Sequence, residues 1–254
     1  MNQETKANDY VRKHNPVVIH DANTTPARLQ LQKNMTQFYR DLQFTELPQW
    51  MFITPNMTSD GHDSSATVAG TWARDLLEPL LTNRYFMEDT LVLITFDENH
   101  TYSKANRVFS ILLGGAVDKA GLAGTTDDHF YNHYSQLSTV EANWKTHTLG
   151  RWDVGANVFG IVARKMHDEY KVWDAVKSAS PSVFLNSSYS GAFANKLGWA
   201  PIPKPALKAK SSKTRRSVLP AVKLLWMKVK GKSLYNNGAV IPDGQHPPAG
   251  YKGQ

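Results

Sequence analysis

The pattern of apolar and polar positions predicts short strands that alternate with longer helices along the first two thirds of the chain. Apolar runs bounded by turn-forming residues predict strands at residues 17–19, around Trp50, at 91–96 and at 109–113. Helical spacing of apolar residues predicts helices over residues 27–41, 71–81, 135–144 and 157–166. Alternation of this kind favours a parallel or mixed sheet covered by helices, which is an α/β fold.

The strand predicted at Leu91–Phe96 ends in two adjacent carboxylates, Asp97 and Glu98. Its composition is typical of a fully buried strand, and ligands collect at the carboxyl ends of strands in parallel sheets. Neighbouring carboxylates repel each other unless a cation lies between them, so the pair predicts a divalent metal site. The alternative is that Asp97 only caps a following helix or turn.

A second polar cluster follows the strand predicted around Trp50. Pro55 ends that strand, and the chain continues into Asn56–Asp63. Gly61 permits a left-handed backbone, which would let Asp60, His62 and Asp63 converge on a metal ion or a phosphate group. The alternative is an ordinary Asp-Gly turn with a surface histidine.

The positive charge of the chain is local. The net charge is +7, but Lys204–Lys232 carries ten Lys or Arg residues and no acidic residue, so removing those ten charges leaves −3 for the rest. Residues 201–217 are predicted to be a mobile basic linker between a domain at 1–200 and a C-terminal helix and tail at 218–254. Apolar residues at near-helical spacing in Val218–Val229 favour a docking helix over a weak site for anionic surfaces or nucleic acid.

Composition narrows the class of protein. The chain has no cysteine, which excludes disulfides and thiolate chemistry, and it has no apolar run long enough for a transmembrane helix. The N-terminus is polar and lacks the apolar core of a signal peptide. Five Asn-x-Ser/Thr sequons nevertheless suit a secreted glycoprotein; they lie at Asn23, Asn34, Asn56, Asn99 and Asn186.

Six motifs occur in a specific order: Tyr10–Pro16, Leu47–Trp50, Thr54–Asp63, Leu93–Asn99, Leu112–Ala116 and His133–Trp144. In this order they resemble the fungal secreted acid phosphatases. These enzymes belong to the phosphoesterase family, which also contains bacterial phospholipases C and lies within the alkaline-phosphatase-like superfamily. The resemblance spans roughly residues 10–200. It implies a three-layer alkaline-phosphatase-like sheet covered by helices, incomplete at the N-terminus and followed by a C-terminal extension.

The resemblance also implies roles for individual residues. It implies that Asp97 and Glu98 are ligands of a divalent metal ion. It also implies that His14 and His62 face the phosphoryl group of a small phosphate monoester. Asp60, Asn56 and His133 are assigned to the rim, with a helix-start role as the alternative for His133. It further implies secretion of the full-length protein to the medium or cell wall, and no specific nucleic-acid partner.

One part of the family pattern has no counterpart. In the family, the hydroxyl nucleophile and the first metal ligands precede the Arg-Lys-His-Asn-Pro motif, which here begins at Arg12. We therefore expect no nucleophile in this chain, which resembles a truncated acid phosphatase. The alternatives are an inactive remnant, a phosphate- or partner-binding protein, and a phospholipase C-like phosphodiesterase.

Overall fold

The computed structural model describes residues 10–101, 106–168, 204–211 and 214–231. Their contacts divide them into two units, each described by itself below. The first unit contains the residues up to Leu93 together with Ile111–Ala123, and the second contains Ile94–Ser110 and the residues from Gly124 onward. Within the described ranges, no helix combines the length and the apolarity that crossing a bilayer requires.

The described elements are helices with one small sheet. In chain order they are two 3-10 turns (Arg12–His14 and Asp21–Asn23), α1 (Pro26–Leu29), α2 (Met35–Gln43), α3 (Ala66–Leu80), α4 (Phe86–Asp89), β1 (Val92–Ile94), β2 (Ile111–Leu113), α5 (Gly115–Lys119), α6 (His133–Asn143), α7 (Gly160–Met166) and α8 (Pro220–Trp226).

Local caps define where the helices of the first unit begin. The side chain of Asn34 accepts a hydrogen bond from the backbone N–H of Gln37, and α2 starts at Met35, eight residues later than the periodicity alone suggests. Ser65 caps α3 in the same way. The apolar faces of these helices contribute to the core of this unit, whose buried side chains are Phe38, Met57, Leu76, Leu77, Leu80, Phe86 and Val117.

The strand predictions are only partly confirmed. Residues 17–19 form a turn and Trp50 lies in irregular chain, half-exposed and without a partner strand among the described residues. The two remaining strands, β1 and β2, are three residues long, and β1 is half-buried rather than fully buried. A short strand paired on one side cannot be covered as completely as a central strand of a parallel sheet.

The pair β1–β2 runs antiparallel, which is compatible with the predicted mixed sheet but not with an all-parallel one. The carbonyl of Thr90, before β1, accepts a hydrogen bond from the N–H of Ala116, after β2. The hydroxyl groups of Thr95 and Ser110 are 2.9 Å apart at the other end of the pair. A loop without a crossover helix suffices for such a pair. The three-layer sheet stays a prediction.

Two glycines allow the chain to turn closely between β2 and α5. Gly114 has φ +99°, and a Cβ on Gly115 would lie 1.6 Å from the carbonyl oxygen of Met87 in α4. We expect Gly115→Ala to lower the free energy of unfolding by about 3 kcal/mol or more, because backbone would have to move. Gly70→Ala is the control: nothing lies within 4 Å of its Cβ, and it should stabilise α3 by about 0.5–1 kcal/mol. Denaturant unfolding of both variants tests the comparison.

The second unit is built around α6 and α7. A reciprocal pair of hydrogen bonds between Asn132 and Ser135 caps α6, which therefore begins at His133 as the sequence indicates within two residues. The buried apolar residues of this unit are Ala142, Val154, Ala156, Val158, Phe159, Val162, Ala163 and Val218. Thr139 links the two helices, because its hydroxyl accepts a hydrogen bond from the N–H of Phe159.

The described part of the basic segment packs into the second unit. Pro205 and Val218 are fully buried, and Val218 forms a parallel bridge with Thr148. Arg216 makes a buried ion pair with Asp168, with a nitrogen–oxygen distance of 2.8 Å. A mobile linker would not make these contacts, because they fix its backbone in one place. The domain boundaries themselves stay predictions, since residues 169–203, 212–213 and 232–254 lie outside the described residues.

Candidate functional site

Asp60 is the centre of a polar cluster in the first unit. One of its carboxylate oxygens lies 3.4 Å from Nδ1 of His14, and the other accepts a hydrogen bond from the backbone N–H of His62 at 2.8 Å. The rings of His14 and His62 meet edge to face, with their centroids 5.9 Å apart. The two predicted phosphate-facing histidines therefore lie side by side, and Asp60 joins them.

The backbone of the Asn56–Asp63 loop explains how His62 is presented. The side chain of Asn56 accepts a hydrogen bond from the N–H of Ser59, and its carbonyl accepts one from the N–H of Asp60, both at 2.8 Å. Met57 is buried and anchors the start of the loop, while Gly61 has φ +92°. Asn56 and Asp60, predicted as rim residues, thus shape the turn that carries His62.

Each histidine has one nitrogen held by a carboxylate. Nδ1 of His62 lies 2.9 Å from Asp63, and Nδ1 of His14 faces Asp60. These contacts orient the rings and leave Nε2 of each for an external group. The side chains are 29% (His14) and 59% (His62) exposed, so solvent and a ligand can reach them. Two imidazoles at this spacing can donate hydrogen bonds to the oxygens of one phosphate group when protonated.

Asp97 and Glu98 lie in the second unit, in the loop that follows β1. Both side chains are exposed, and one oxygen of Asp97 accepts a hydrogen bond from the N–H of Glu98 at 2.9 Å. The carbonyl of Asp97 is bound twice, by Nε2 of His133 at 2.7 Å and by the side-chain amide of Asn106 at 2.9 Å. The loop is therefore held through the backbone carbonyl of Asp97.

His133 takes the helix-start position that was the alternative for it, and its rim role stays a prediction. It is the first residue of α6, and its ring reaches back to the loop of Asp97. Asn106, which belongs to no motif recognised in the sequence, completes the arrangement by accepting a hydrogen bond from the N–H of Asn99 at 2.7 Å. The contact joins positions 36 residues apart, so no local pattern could have revealed it.

The donor set at Asp97 and Glu98 fits a hard divalent cation. Carboxylate oxygens are the ligands that Mg²⁺ and Ca²⁺ prefer, and Zn²⁺ accepts them as well. Two side chains supply part of a coordination sphere, which a metal ion completes with water, phosphate or further ligands. The exposure of both carboxylates is consistent with such a site.

A third acidic cluster, Asp127, Asp128 and His129, was not predicted. One ligand atom from each of the three residues lies within 4.8 Å of the other two. Asp127 is already engaged, because it contacts Nδ1 of His129 and accepts a hydrogen bond from the hydroxyl of Tyr131 at 2.7 Å. Burial alone would raise the pKa of Asp127, but these hydrogen bonds lower it below its ordinary value. The run of two aspartates and a histidine was the available signal in the sequence.

The most perturbed acid in the described chain is Glu141, on α6. It is almost completely buried, and burial together with the neighbouring Asp153 raises its pKa to about 9, although Arg216 opposes the shift. The charge of Arg216 is shared with Asp168, to which it is bound. Glu141 is therefore protonated at acidic and neutral pH, and the core of the second unit depends on that proton.

We expect the second unit to lose stability as the pH rises. The folded chain holds the proton of Glu141 more tightly than the unfolded chain does, so its contribution is complete below pH 4.5 and is lost as the pH approaches about 9. Glu141→Gln replaces the protonated carboxyl group by a neutral amide of similar shape, so the stability of this variant should depend less on pH. Glu78→Gln, which changes an exposed glutamate, should leave the pH dependence unchanged. The test is to measure melting temperatures from pH 4 to pH 9. If the melting temperature falls as steeply with pH in Glu141→Gln as in the parent, Glu141 does not cause the loss of stability.

The predicted residues thus fall into two groups. His14, Asn56, Asp60 and His62 lie together in the first unit, whereas Asp97, Glu98 and His133 lie together in the second. No hydroxyl group belongs to either predicted set. His100, His129, His147 and His167, which matched no motif, lie outside both groups.

Comparison with known proteins adds a family to this geometry. Residues 1–147 match the model of the phosphoesterase family. The chain is 52% identical over 191 residues to an acid phosphatase of Aspergillus fumigatus, a match that covers 75% of the chain and 41% of that protein. It is 50% identical over 206 residues to a phosphate-repressible acid phosphatase of Penicillium chrysogenum, covering 81% and 48%, and 58% identical over 163 residues to a probable acid phosphatase of Kluyveromyces lactis, covering 64% and 38%.

These matches confirm the resemblance to fungal acid phosphatases. The chain spans less than half the length of the curated relatives it matches. No solved structure matches it.

Proposed function

The chain belongs to the phosphoesterase family, and on that basis we propose that it forms part of a metal-dependent acid phosphatase, a hydrolase of phosphoric monoesters. The observation that carries the proposal is the pairing of His14 and His62 through Asp60. Two carboxylate-oriented imidazoles suit a doubly charged phosphate group better than they suit a neutral ligand. The names of the relatives agree with this chemistry.

In this proposal the histidines bind and protonate. In its protonated form, each imidazole donates a hydrogen bond from Nε2 to a phosphoryl oxygen. The more exposed His62 is the better placed of the two to give its proton to the leaving alcohol. Asp60 and Asp63 hold the rings of His14 and His62 in place through Nδ1.

Asp97 and Glu98 are proposed to hold the divalent metal ion. When bound, such an ion acts as a Lewis acid on a phosphoryl oxygen and favours the reactive form of an attacking hydroxyl. His133 and Asn106 keep the Asp97 carbonyl fixed, so both carboxylates start from a defined loop conformation. The nucleophilic hydroxyl of this proposal belongs to neither of the two groups of site residues.

Secretion is proposed together with this function. Asn34 is exposed and lies in an Asn-Met-Thr sequon, and its side-chain oxygen, not its nitrogen, caps α2. A glycan on the nitrogen would leave that cap intact. Expression in a yeast secretory host, followed by glycosidase treatment, should give a mobility shift that Asn34→Gln reduces.

The test measures binding and turnover separately. Calorimetry on the chain should detect inorganic phosphate binding and divalent metal binding. Hydrolysis of an aryl phosphate monoester and of the matching diester is then measured at acidic pH, both for the chain and for a chimaera completed with the rest of the Aspergillus fumigatus acid phosphatase. We expect metal-dependent hydrolysis of the monoester by the chimaera.

Each other outcome has a defined meaning. A preference for the diester would favour a phospholipase C-like phosphodiesterase. Phosphate binding by a chimaera that hydrolyses neither ester would favour a phosphate-binding protein. Absence of phosphate binding and of hydrolysis would contradict the proposal altogether.

A further inference from the structure

Helix α8 and the residues after it present an apolar surface to solvent. Leu224 is 74% exposed, Leu225 is 73% exposed and Met227 is 58% exposed. Lys223, Lys228 and Lys230 are interleaved with them, and none of the three makes an ion pair with a described residue. We call these six residues the basic apolar face.

The opposite side of α8 anchors it to the second unit. Trp226 lies under the guanidinium of Arg151, whose carbon is 5.4 Å from the ring centroid. The ammonium group of Lys204 donates to the carbonyl of Val229 at 3.0 Å, and Leu219 pairs with Thr148 through the backbone. The helix predicted to dock through its apolar residues therefore docks through Trp226 and keeps its leucines outward.

From this arrangement we infer that the basic apolar face binds the surface of a membrane rich in anionic lipids. Exposed leucine and methionine side chains enter the boundary between headgroups and acyl chains, while the flanking lysines contact lipid phosphate and carboxylate groups. The apolar residues of the face then lie among acyl chains, and its lysines lie beside anionic groups. This activity is separate from ester hydrolysis and does not depend on the proposed function.

Charge argues against the other occupants. A second copy of the chain would bring two lysine-rich faces together, which repel each other. Residues 169–200 contain two acidic residues and three lysines, and residues 232–254 contain one acidic residue and two lysines, so neither stretch offers excess negative charge. Nucleic acid would pair with the lysines but would leave the leucines in water, and the only aromatic ring of α8 is already covered by Arg151.

The test is sedimentation of the whole chain with phosphatidylcholine vesicles, with and without phosphatidylserine. We expect binding to the anionic vesicles and at least tenfold weaker binding to the neutral ones. Leu224→Ser together with Leu225→Ser should weaken binding to anionic vesicles at least tenfold, because the inserted apolar area is lost. Lys228→Gln together with Lys230→Gln should weaken it in a salt-dependent way.

Matched controls lie in the first unit. Leu31→Ser removes a leucine that is 78% exposed, and Lys33→Gln removes an exposed lysine; neither should change vesicle binding. Circular dichroism is used to check that each variant folds. If the double leucine variant does not fold, the single variant Leu224→Ser is used in its place. Equal binding to both kinds of vesicle, unchanged binding by the leucine variants, or binding to duplex DNA that exceeds vesicle binding would each overturn the inference.

Discussion

Metal binding is expected to be lost when Asp97→Asn and Glu98→Gln are combined. The change replaces two carboxylates by amides of the same shape and removes both negative charges that would hold a divalent ion. In the chimaera with the Aspergillus fumigatus enzyme, hydrolysis should fall by roughly a thousandfold or more, because the charge stabilisation supplied by a metal ion amounts to several kcal/mol. Calorimetric titration with Mg²⁺, Mn²⁺, Ca²⁺ and Zn²⁺ measures the first effect, and the rate of aryl phosphate hydrolysis measures the second.

The loop itself should survive this double substitution. Its fixed point is the carbonyl of Asp97, which His133 and Asn106 hold, and an asparagine at position 97 still offers an oxygen to the N–H of Glu98. Asp118→Asn with Glu88→Gln is the matched control, since it changes two exposed acidic residues by the same charge. The control should retain metal affinity and activity, and denaturant unfolding should give similar free energies for both double variants.

The cluster at residues 127–129 provides the competing location for a metal. If the double variant keeps its metal affinity while Asp128→Asn loses it, the site lies at Asp127, Asp128 and His129 rather than after β1. Retained affinity together with normal turnover would remove Asp97 and Glu98 from the catalytic machinery. Loss of affinity only in the double variant at 97 and 98 would support the assignment.

The helices could be predicted from sequence because their signals are local. Apolar spacing located α3 and α6, and the capping residues Asn132 and Ser135 lie within three positions of each other. A single helix was predicted over residues 27–41, but the structure has two separate helices there, α1 and α2. Asn34 separates them, because it caps the start of α2. Residues of one loop are also neighbours in the sequence, so the sequence alone allowed Asp60 and His62 to be assigned to the same cluster.

Contacts between distant positions could not be predicted. The strand expected around Trp50 has good strand composition, yet strand formation requires a partner, and none pairs with it among the described residues. The contact of His133 with Asp97 and the ion pair of Arg216 with Asp168 join positions 36 and 48 residues apart. The ion pair of Arg216 with Asp168 explains why the basic segment, which has the composition of a linker, packs against the second unit. A buried arginine is stable only when a negative charge lies beside it. Asn106 escaped notice because a single asparagine carries no periodic signal.

Phosphate affinity and turnover are both expected to fall in His62→Asn. The substitution removes the imidazole that would donate to phosphate. It leaves the loop in place, because the contact with Asp60 is made by the backbone N–H of residue 62. Turnover in the chimaera should decrease by about a hundredfold or more, the range for loss of a positioned general acid. Calorimetry with inorganic phosphate on the chain alone should show weaker binding by the variant than by the parent at pH 5.

The controls separate chemistry from structure. His20→Asn replaces an exposed histidine outside the cluster and should change neither phosphate affinity nor turnover. Asp63→Asn keeps the imidazole but weakens its orientation, because Nδ1 of His62 loses a charged partner at 2.9 Å, so its effect should be intermediate. Thermal stability should change little in all three variants, since none of these side chains is buried. A His62→Asn variant that is unstable but binds phosphate normally when folded would mean that His62 serves the turn and not the phosphoryl group.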